Sequence, residues 1–296
     1  MRMIRPLLVA LSAAALGGAL ILTVAGSPSA AQHPRTVQAH LTAKFRAEAR
    51  AALIKDLRTP DTALLVPGSL TARPGANAVT AAASYNWAGY ADSSTTAGTF
   101  TKVSGSWVVP KITCTAEDRV TSDWVGLDGW TTATVEQDGT SAQCYEGTAF
   151  YYSWYEMYPA GTVEVGTTVA AGDAISASVT RSGANYTLAL TDSTHTANSF
   201  TKTASCATTT CLDESAEWIA ERPSYASTGI VPEVIFGSVK FSKGSVTAAG
   251  KTTTIAGFTG GTVDQTACVD STDAYDIVAT SGLVSDSFTS TWKNSY

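Results

Sequence analysis

The chain holds 296 residues with a formal net charge of −6, 9% aromatic residues, five cysteines and three histidines. An acidic balance does not suit nucleic acid, because neutralising phosphates needs the opposite sign. Only His195 lies beyond residue 76, in the polar turn "DSTHTANS", so a Ser-His-Asp or Cys-His site lacks a structured imidazole. Zinc sites need clustered His or Cys, and the cysteines are scattered, with no EF-hand loop or phosphate-binding glycine loop either. Any hydrolase here must move protons with carboxylates.

The N-terminus reads "MRMIRPLLVALSAAALGGALILTVAGSPSAAQ". Arg2 and Arg5 precede an apolar run, and Ser29–Ala31 supply small residues, which predicts a secretory signal over 1–31. A membrane anchor is the alternative, since the run is nearly long enough to span. Residues 32–75 begin with an Ala-, Lys- and Arg-rich stretch at helical spacing that stops at Pro60. A linker with Pro67, Gly68, Pro74 and Gly75 follows. Residues 1–75 carry nine Lys/Arg against three Asp/Glu, whereas 76–296 carry ten against twenty-two, so the net charge passes from +6 to −12. A basic leader before an acidic domain predicts a propeptide covering an acidic cleft, a simple tether being the alternative. The expected location is extracellular.

Residues 76–296 predict one large all-β domain, an antiparallel β-sandwich of jelly-roll type with a concave groove. The strand candidates in chain order are "NWAGYA", "FTKVSGSWVVP", "DRVTSDWVGLDG", "AFYYSWYEMYP", "TVEVGTTV", "AISASVTRS", "NYTLALTDS", "SFTKTAS", "IVPEVIFGSVKFS" and "TTTIAGF". Period-two alternation places Trp154 and Glu156 together on one face, and Trp124, Gly126 and Asp128 on another. A Trp two steps from an acid thus occurs on two strands, and Gly126 leaves room for a ligand. Simple core packing accounts for each tryptophan taken singly. Gln137, in "ATVEQDGT", reads as part of a Gly-flanked turn. Cys206 with Cys211, and Cys114 with Cys144, are the expected disulfides of an exported protein, leaving one thiol over.

Three glutamates crowd "ESAEWIAERP", Glu214 to Pro223. A glycosidase needs two carboxyls about 5 to 9.5 Å apart. On a strand, Glu217 and Glu221 would share a face but lie about 13 Å apart, at about 3.3 Å per residue. On a helix they would be neighbours at about 6 Å, and propensity does not exclude the helix. The alternative chemistry pairs one carboxylate with a neutral oxyanion donor such as a Gln amide.

"NWAGY", "WVGLDG", "EQDG", "YYSWYEMYP" and "AEWIAERP" stand in the order and rough spacing of the glutamic peptidases (eqolisins), and "VPEVIFGSVKFS" resembles the strand after that family's catalytic glutamate. The resemblance runs from about Ser84 to the C-terminus. It implies a β-sandwich made as a preproprotein, active at acid pH and needing no cofactor or metal, with Gln137 and Glu221 as the catalytic dyad. Trp124, Asp128, Trp154, Glu156, Asn86 and Trp87 match positions lining the family's substrate groove. The implied partners are protein and peptide substrates and the chain's own propeptide as inhibitor, with no nucleic acid, and no membrane once the signal is cleaved. The acidic domain suits a soluble monomer. Glu136 departs from the pattern, an apolar residue preceding the Gln in the member compared. On a strand Glu136 would point away from Gln137, whereas in a bulge it would raise the proton affinity of Glu221. Two further readings remain open: a glycan-binding sandwich in which Trp124, Trp154 and Trp218 stack on sugar rings, and a carboxylate glycosidase.

Overall fold

The computed structural model describes residues 79–207, 210–225, 229–272 and 275–294. The signal expected over 1–31 and the propeptide and linker expected over 32–75 lie outside the described residues. The first strands are β1 (Val79–Ser84), β2 (Trp87–Ser93), β3 (Phe100–Val108), β4 (Arg119–Leu127), β5 (Val135–Tyr145) and β6 (Thr148–Tyr158). They are followed by β7 (Ala160–Gly166), β8 (Ala174–Ser182), β9 (Asn185–Asp192), β10 (Phe200–Ser205), β11 (Ser215–Glu221) and β12 (Ser224–Tyr225). The last are β13 (Gly229–Ile230), β14 (Ser238–Ala248), β15 (Lys251–Thr254), β16 (Thr262–Val269), β17 (Asp276–Thr280) and β18 (Phe288–Trp292). Helix is confined to two 3₁₀ turns among the described residues.

The hydrogen-bonded order is β10-β9-β8-β3-β14-β18-β17-β16-β2-β11-β4-β5-β6-β7, with β1 parallel on β16. The long strand β14 joins two layers. Ser238–Phe241 pair with β18, and Ser242–Ala248 pair with β3 across a register shift. A front sheet built around β2-β11-β4-β5-β6 therefore lies on a back sheet of β10-β9-β8-β3-β14, an antiparallel β-sandwich. Tyr90, Phe100, Val103, Trp107, Val125, Leu127, Leu188, Trp218 and Phe241 fill the space between them. Full burial of such side chains contributes about 1.5–3 kcal/mol each, and the two interior indoles are satisfied as well. Trp218 donates to the Ser104 carbonyl at 2.8 Å, and Trp107 donates to the Thr140 hydroxyl at 2.9 Å.

The turn expected around Gln137 is instead the eleven-residue strand β5. Gly139 explains the difference. A Cβ there would come within 2.3 Å of the Asp123 carbonyl and 2.6 Å of the Trp124 Cβ, so this glycine marks a close approach of two strands, not a bend. The segment "AEWIAE" takes the strand form as β11, in the centre of the front sheet. The strands β16, β17 and β18 fall where the Ser-, Thr- and Asp-rich sequence gave no clear alternation. Two disulfides close Cys114 to Cys144 and Cys206 to Cys211, and Cys268 is a buried free thiol.

Candidate active site

Register across the front sheet decides which side chains share its outer face, because residues directly opposite in antiparallel strands point the same way. Glu221 lies opposite Trp87 on β2 and Ser122 on β4, and Ile219 lies opposite Trp124. Gln137 lies opposite Gly126 on one side and Glu156 on the other, and Gly139 lies opposite Trp154. One face thus gathers Trp87, Glu221, Trp124, Gln137, Glu156 and Trp154. Trp87, Trp124, Val135, Tyr152, Trp154 and Ile219 form its apolar cluster, separate from the inter-sheet core. Strands β5 and β11 flank β4, so Gln137 and Glu221 stand two strands apart, about 10 Å across the sheet, and, being opposite Gly126 and Ser122, are offset by about 13 Å along it, a gap their side chains must narrow.

Hydrogen bonds fix the polar groups on this face. The Trp124 indole donates to Glu221 Oε2 at 2.8 Å. Trp124 is held in turn by an edge-on contact with Trp87, with ring centroids 4.9 Å apart at 78°. The Gln137 amide donates to Glu156 Oε2 at 2.6 Å, and Thr162 donates to Glu156 Oε1 at 3.2 Å. Gly126 is needed here, although its open side is not free: a Cβ would meet the Trp124 ring at 2.9 Å and the Gln137 Cβ at 3.2 Å. Asn86, buried just before β2, is oriented by the Ser84 hydroxyl, which donates to its Oδ1 at 2.9 Å.

Burial pushes the Glu221 carboxyl up to about 8. The Trp124 hydrogen bond opposes that rise, the charge of Glu156 adds to it, and weaker polar contacts from Trp87 and Asn86 pull it back. Glu156 is therefore close enough to Glu221 for each to feel the other's charge. A proton placed on Glu221 is held tightly, while Glu156 accepts from an amide and a hydroxyl.

Asp128 and Glu136 take the other side of the sheet. Strand β4 ends at Leu127 and Asp128 adopts a left-handed φ of 66°, which breaks the alternation that would have set it beside Trp124. Its carboxylate accepts from the backbone N–H groups of Asp213 and Glu214 at 2.7 and 2.9 Å. Asp128 is thus not a wall of the aromatic face but the anchor of the loop entering β11. Glu136, in the regular part of β5, points away from Gln137 and lies with Asp128 and Asp213. Its Oε1 sits 2.9 Å from Sγ of Cys211 in the Cys206–Cys211 disulfide. Burial first, then the charges of Asp128 and Asp213, push the Glu136 carboxyl up to about 9.

The remaining sequence candidates separate cleanly. Trp218 is in the inter-sheet core, so Trp124, Trp154 and Trp218 do not share a platform for a sugar. Glu217 is on a strand, in register with Gly126 and hence Gln137, about 13 Å from Glu221. That separation fits neither glycosidase geometry. His195 is exposed at a back-sheet turn and pairs with Asp173 at 2.8 Å. As for cations, Asp173, Asp192 and His195, or Asp128, Glu136 and Asp213, are close enough to share one. Each oxygen of Asp213 is already engaged, however, by Tyr186 at 2.8 Å and by Arg181 at 3.0 Å. Neither group lies on the aromatic face.

Three contributors escaped the sequence reading. Thr162 was seen only as part of a strand, and its contact with Glu156 depends on β7 folding back along β6. Ser122 and Ser141, opposite Glu221, share a 2.7 Å hydroxyl contact. Trp130, in the loop after β4, extends the aromatic row beyond Trp87 at 6.5 Å. Its place in "DGW" was visible, but its direction was not.

Comparison with known proteins gives a consistent picture. The sequence profile of the Peptidase A4 family matches residues 85–292. Aspergillopepsin-2 of Aspergillus niger is 31% identical over 176 residues, 52% of this chain and 62% of that protein, so the match spans about three-fifths of the relative. Among solved structures, scytalido-glutamic peptidase with a peptide-based transition-state analogue superposes with a TM-score of 0.58 at 25% identity, covering 71% of this chain and 98% of that one. The aspergilloglutamic peptidase of Aspergillus niger gives a TM-score of 0.50 at 28% identity, covering 59% and 99%.

Proposed function

Because the chain belongs to the Peptidase A4 family, we propose that it is a secreted glutamic endopeptidase that hydrolyses peptide bonds with Gln137 and Glu221. The observation that supports this most directly is the pairing of two differently fixed groups on one aromatic face. Glu221 is held by the Trp124 indole, and Gln137 is held by Glu156.

In this reading ionised Glu221 takes a proton from water, and the hydroxide attacks the scissile carbonyl. Gln137 donates an N–H to the tetrahedral oxygen. The C–N bond then breaks as Glu221 returns its proton to the leaving amine. Glu156 has a definite part: its carboxylate occupies one N–H of the Gln137 amide, which sets the direction of that amide and leaves the second N–H for the oxyanion. Trp124 holds Glu221 by a donor that favours the ionised form, countering burial. The burial that raises Glu221 makes it a stronger base once ionised and a ready holder of the proton until the amine departs.

The basic segment over 32–75, with seven Lys/Arg against three Asp/Glu, is proposed as a propeptide that docks on acidic walls near neutral pH and loosens as carboxylates gain protons. The decisive experiment is digestion of denatured casein at pH 3–4 by the wild type, Gln137→Ala and Glu221→Ala, with pepstatin in parallel. Pepstatin-resistant cleavage abolished by both substitutions is expected, and cleavage surviving Glu221→Ala overturns the assignment. In the same samples the wild-type proprotein should shorten at low pH. Equal shortening of Glu221→Ala would exclude self-processing.

A further inference from the structure

Strands β3, β8 and β14 carry no Asp or Glu, although residues 76–296 hold twenty-two of them. Trp107, Ile175 and Phe241 on these strands point into the inter-sheet core. Ser106, Ser176 and Ser242, one residue away and in register with one another, therefore face out from the back of the sandwich. A hollow of about 770 Å³ opens there, lined also by Lys111, Lys240 and Lys243 and by no acid. We propose that this face is a docking surface for an anionic polymer of phosphodiester-linked polyol units, with its phosphates on the lysines and its hydroxyls on the serines. The inference does not depend on the dyad, and the hollow shares no residue with the aromatic face.

Lys243 is decisive. Strict alternation from the buried Val239 and Phe241 would turn Lys243 into the core. Instead a register shift between Ser242 and Ser245 adds one residue to β14, and Lys243 takes a left-handed φ of 54°. Its side chain is thereby exposed and lines the hollow with Lys240. A non-glycine residue in that backbone region is uncommon, and a bulge re-aims a side chain. Lys111, from the loop after β3, brings the third charge. All three lysines are exposed, and none joins an ion pair among the described residues. A fourth, Lys102, points the same way four residues before Ser106, about 13 Å along β3. Lysines spread over that distance match a repeating charge and not a single ion, and lysine meets phosphate as a point charge.

The makeup of the face narrows the partner further. Strands β3 and β8 are paired on both sides, so they offer no free edge to a peptide backbone. Trp107 is 2% exposed with its indole N–H on Thr140, so it gives no platform on which nucleic-acid bases could stack. In their place stand the exposed hydroxyls of Ser106 and Ser176, 2.8 Å apart, and a small apolar patch of Val108 and Pro110, with Val108 56% exposed. Ammonium groups, hydroxyls and a short apolar contact suit a flexible polyol phosphate. A polymer held here leaves the aromatic face open.

The test follows the fluorescence anisotropy of a labelled poly(glycerol phosphate) chain mixed with the full-length protein at pH 6. Binding should weaken with added salt, with a log–log slope on the order of −2 for three lysines. Lys111→Gln, Lys240→Gln and Lys243→Asn should each weaken it by about fivefold, as for a lysine at an anionic surface. Asparagine is used at position 243 because it tolerates the left-handed backbone. The triple variant should bind about a hundredfold more weakly if the three effects add, with melting and peptide cleavage as in the wild type. Binding that persists in the triple variant would place the polymer on the basic segment over 32–75 and overturn the proposal. Poly-glutamate or single-stranded DNA of equal charge held as tightly would also overturn it, in favour of an acidic protein or a nucleic acid.

Discussion

The two faces of the front sheet hold buried carboxyls under opposite conditions. On the outer face Glu221 and Glu156 each receive a directed donor, from Trp124 and from Gln137. On the inner side Asp123 and Asp138 are buried with no cationic partner among the described residues, and burial pushes Asp123 up to about 8 and Asp138 well above the usual range. Glu136 reaches about 9 only one residue from Gln137. The same low-dielectric cost thus appears on both faces, Glu217 on the outer face having no hydrogen-bond partner among the described residues. What sets Glu221 and Glu156 apart is a directed side-chain donor to each. Proton affinity alone does not single out the proposed active site; directed hydrogen bonding on the aromatic face does.

The largest effects that test this contrast are at the proposed dyad. Glu221→Gln keeps the shape and the Trp124 contact but removes the proposed base, and should cost about 10²–10⁴ in kcat. Gln137→Ala removes the proposed oxyanion donor and should cost about 10²–10³. In both, unchanged circular dichroism and melting at pH 4 would show that the loss is chemical. By contrast, Glu136→Leu, on the other side of the same strand, should leave kcat at pH 4 within about threefold, since its carboxyl faces the Cys206–Cys211 disulfide. If Glu136→Leu were as damaging as Gln137→Ala, the separation of the two faces would be wrong.

A smaller change should move the pH profile more than the maximum rate. Glu156 raises the proton affinity of Glu221, so Glu156→Gln should lower it and shift the acid limb of kcat/KM to lower pH by up to about one unit. A glutamine carbonyl can still accept from Gln137, which limits the fall in kcat to about tenfold by the same oxyanion argument. An acid limb that stays in place, or moves upward, would mean that Glu221 is not the base that limits the reaction.

The legible part of the site was the part written in local pattern. "YYSWYEMYP" gave Trp154 and Glu156 a shared face through strict alternation, and β6 keeps that alternation throughout. "DWVGLDG" misled at its last acid, because alternation fails where a left-handed residue ends the strand, and nothing local distinguishes Asp128 from a continuing position. Gln137 looked like a turn residue because Gly139 is a turn former in isolation. Only the packing of Trp124 against it shows why a glycine must stand in the middle of a strand. The pairing of an amide with a carboxyl 84 residues later (221 − 137) depends on β4 lying between β5 and β11, an order that no local signal encodes.

The raised carboxyls of both faces also have a signature in stability. Asp123, Glu136, Glu221 and Asp213 have folded proton affinities of about 8, 9, 8 and 6, and Asp92, Asp138, Glu217 and Glu233 are raised well above the usual carboxylate range. Between about pH 4, where the unfolded carboxyls ionise, and these folded values, the native state holds more protons than the unfolded one. Stability is then greatest in acid and falls as pH rises through this window. On the proposed mechanism, ionisation of Glu221 would raise intrinsic activity over the same range. The two trends oppose each other, and an optimum on the acid side would then come from loss of the fold and not from the ionisation of Glu221. Melting followed from pH 4 to pH 8 should show a steadily falling midpoint. Glu136→Leu should soften that fall by a few degrees, about 2–4 °C for each kcal/mol in a domain of this size, while leaving the pH dependence of kcat/KM near pH 4 alone. A midpoint that rises with pH would show that the inner acids are ionised in the native state and paired in some other way.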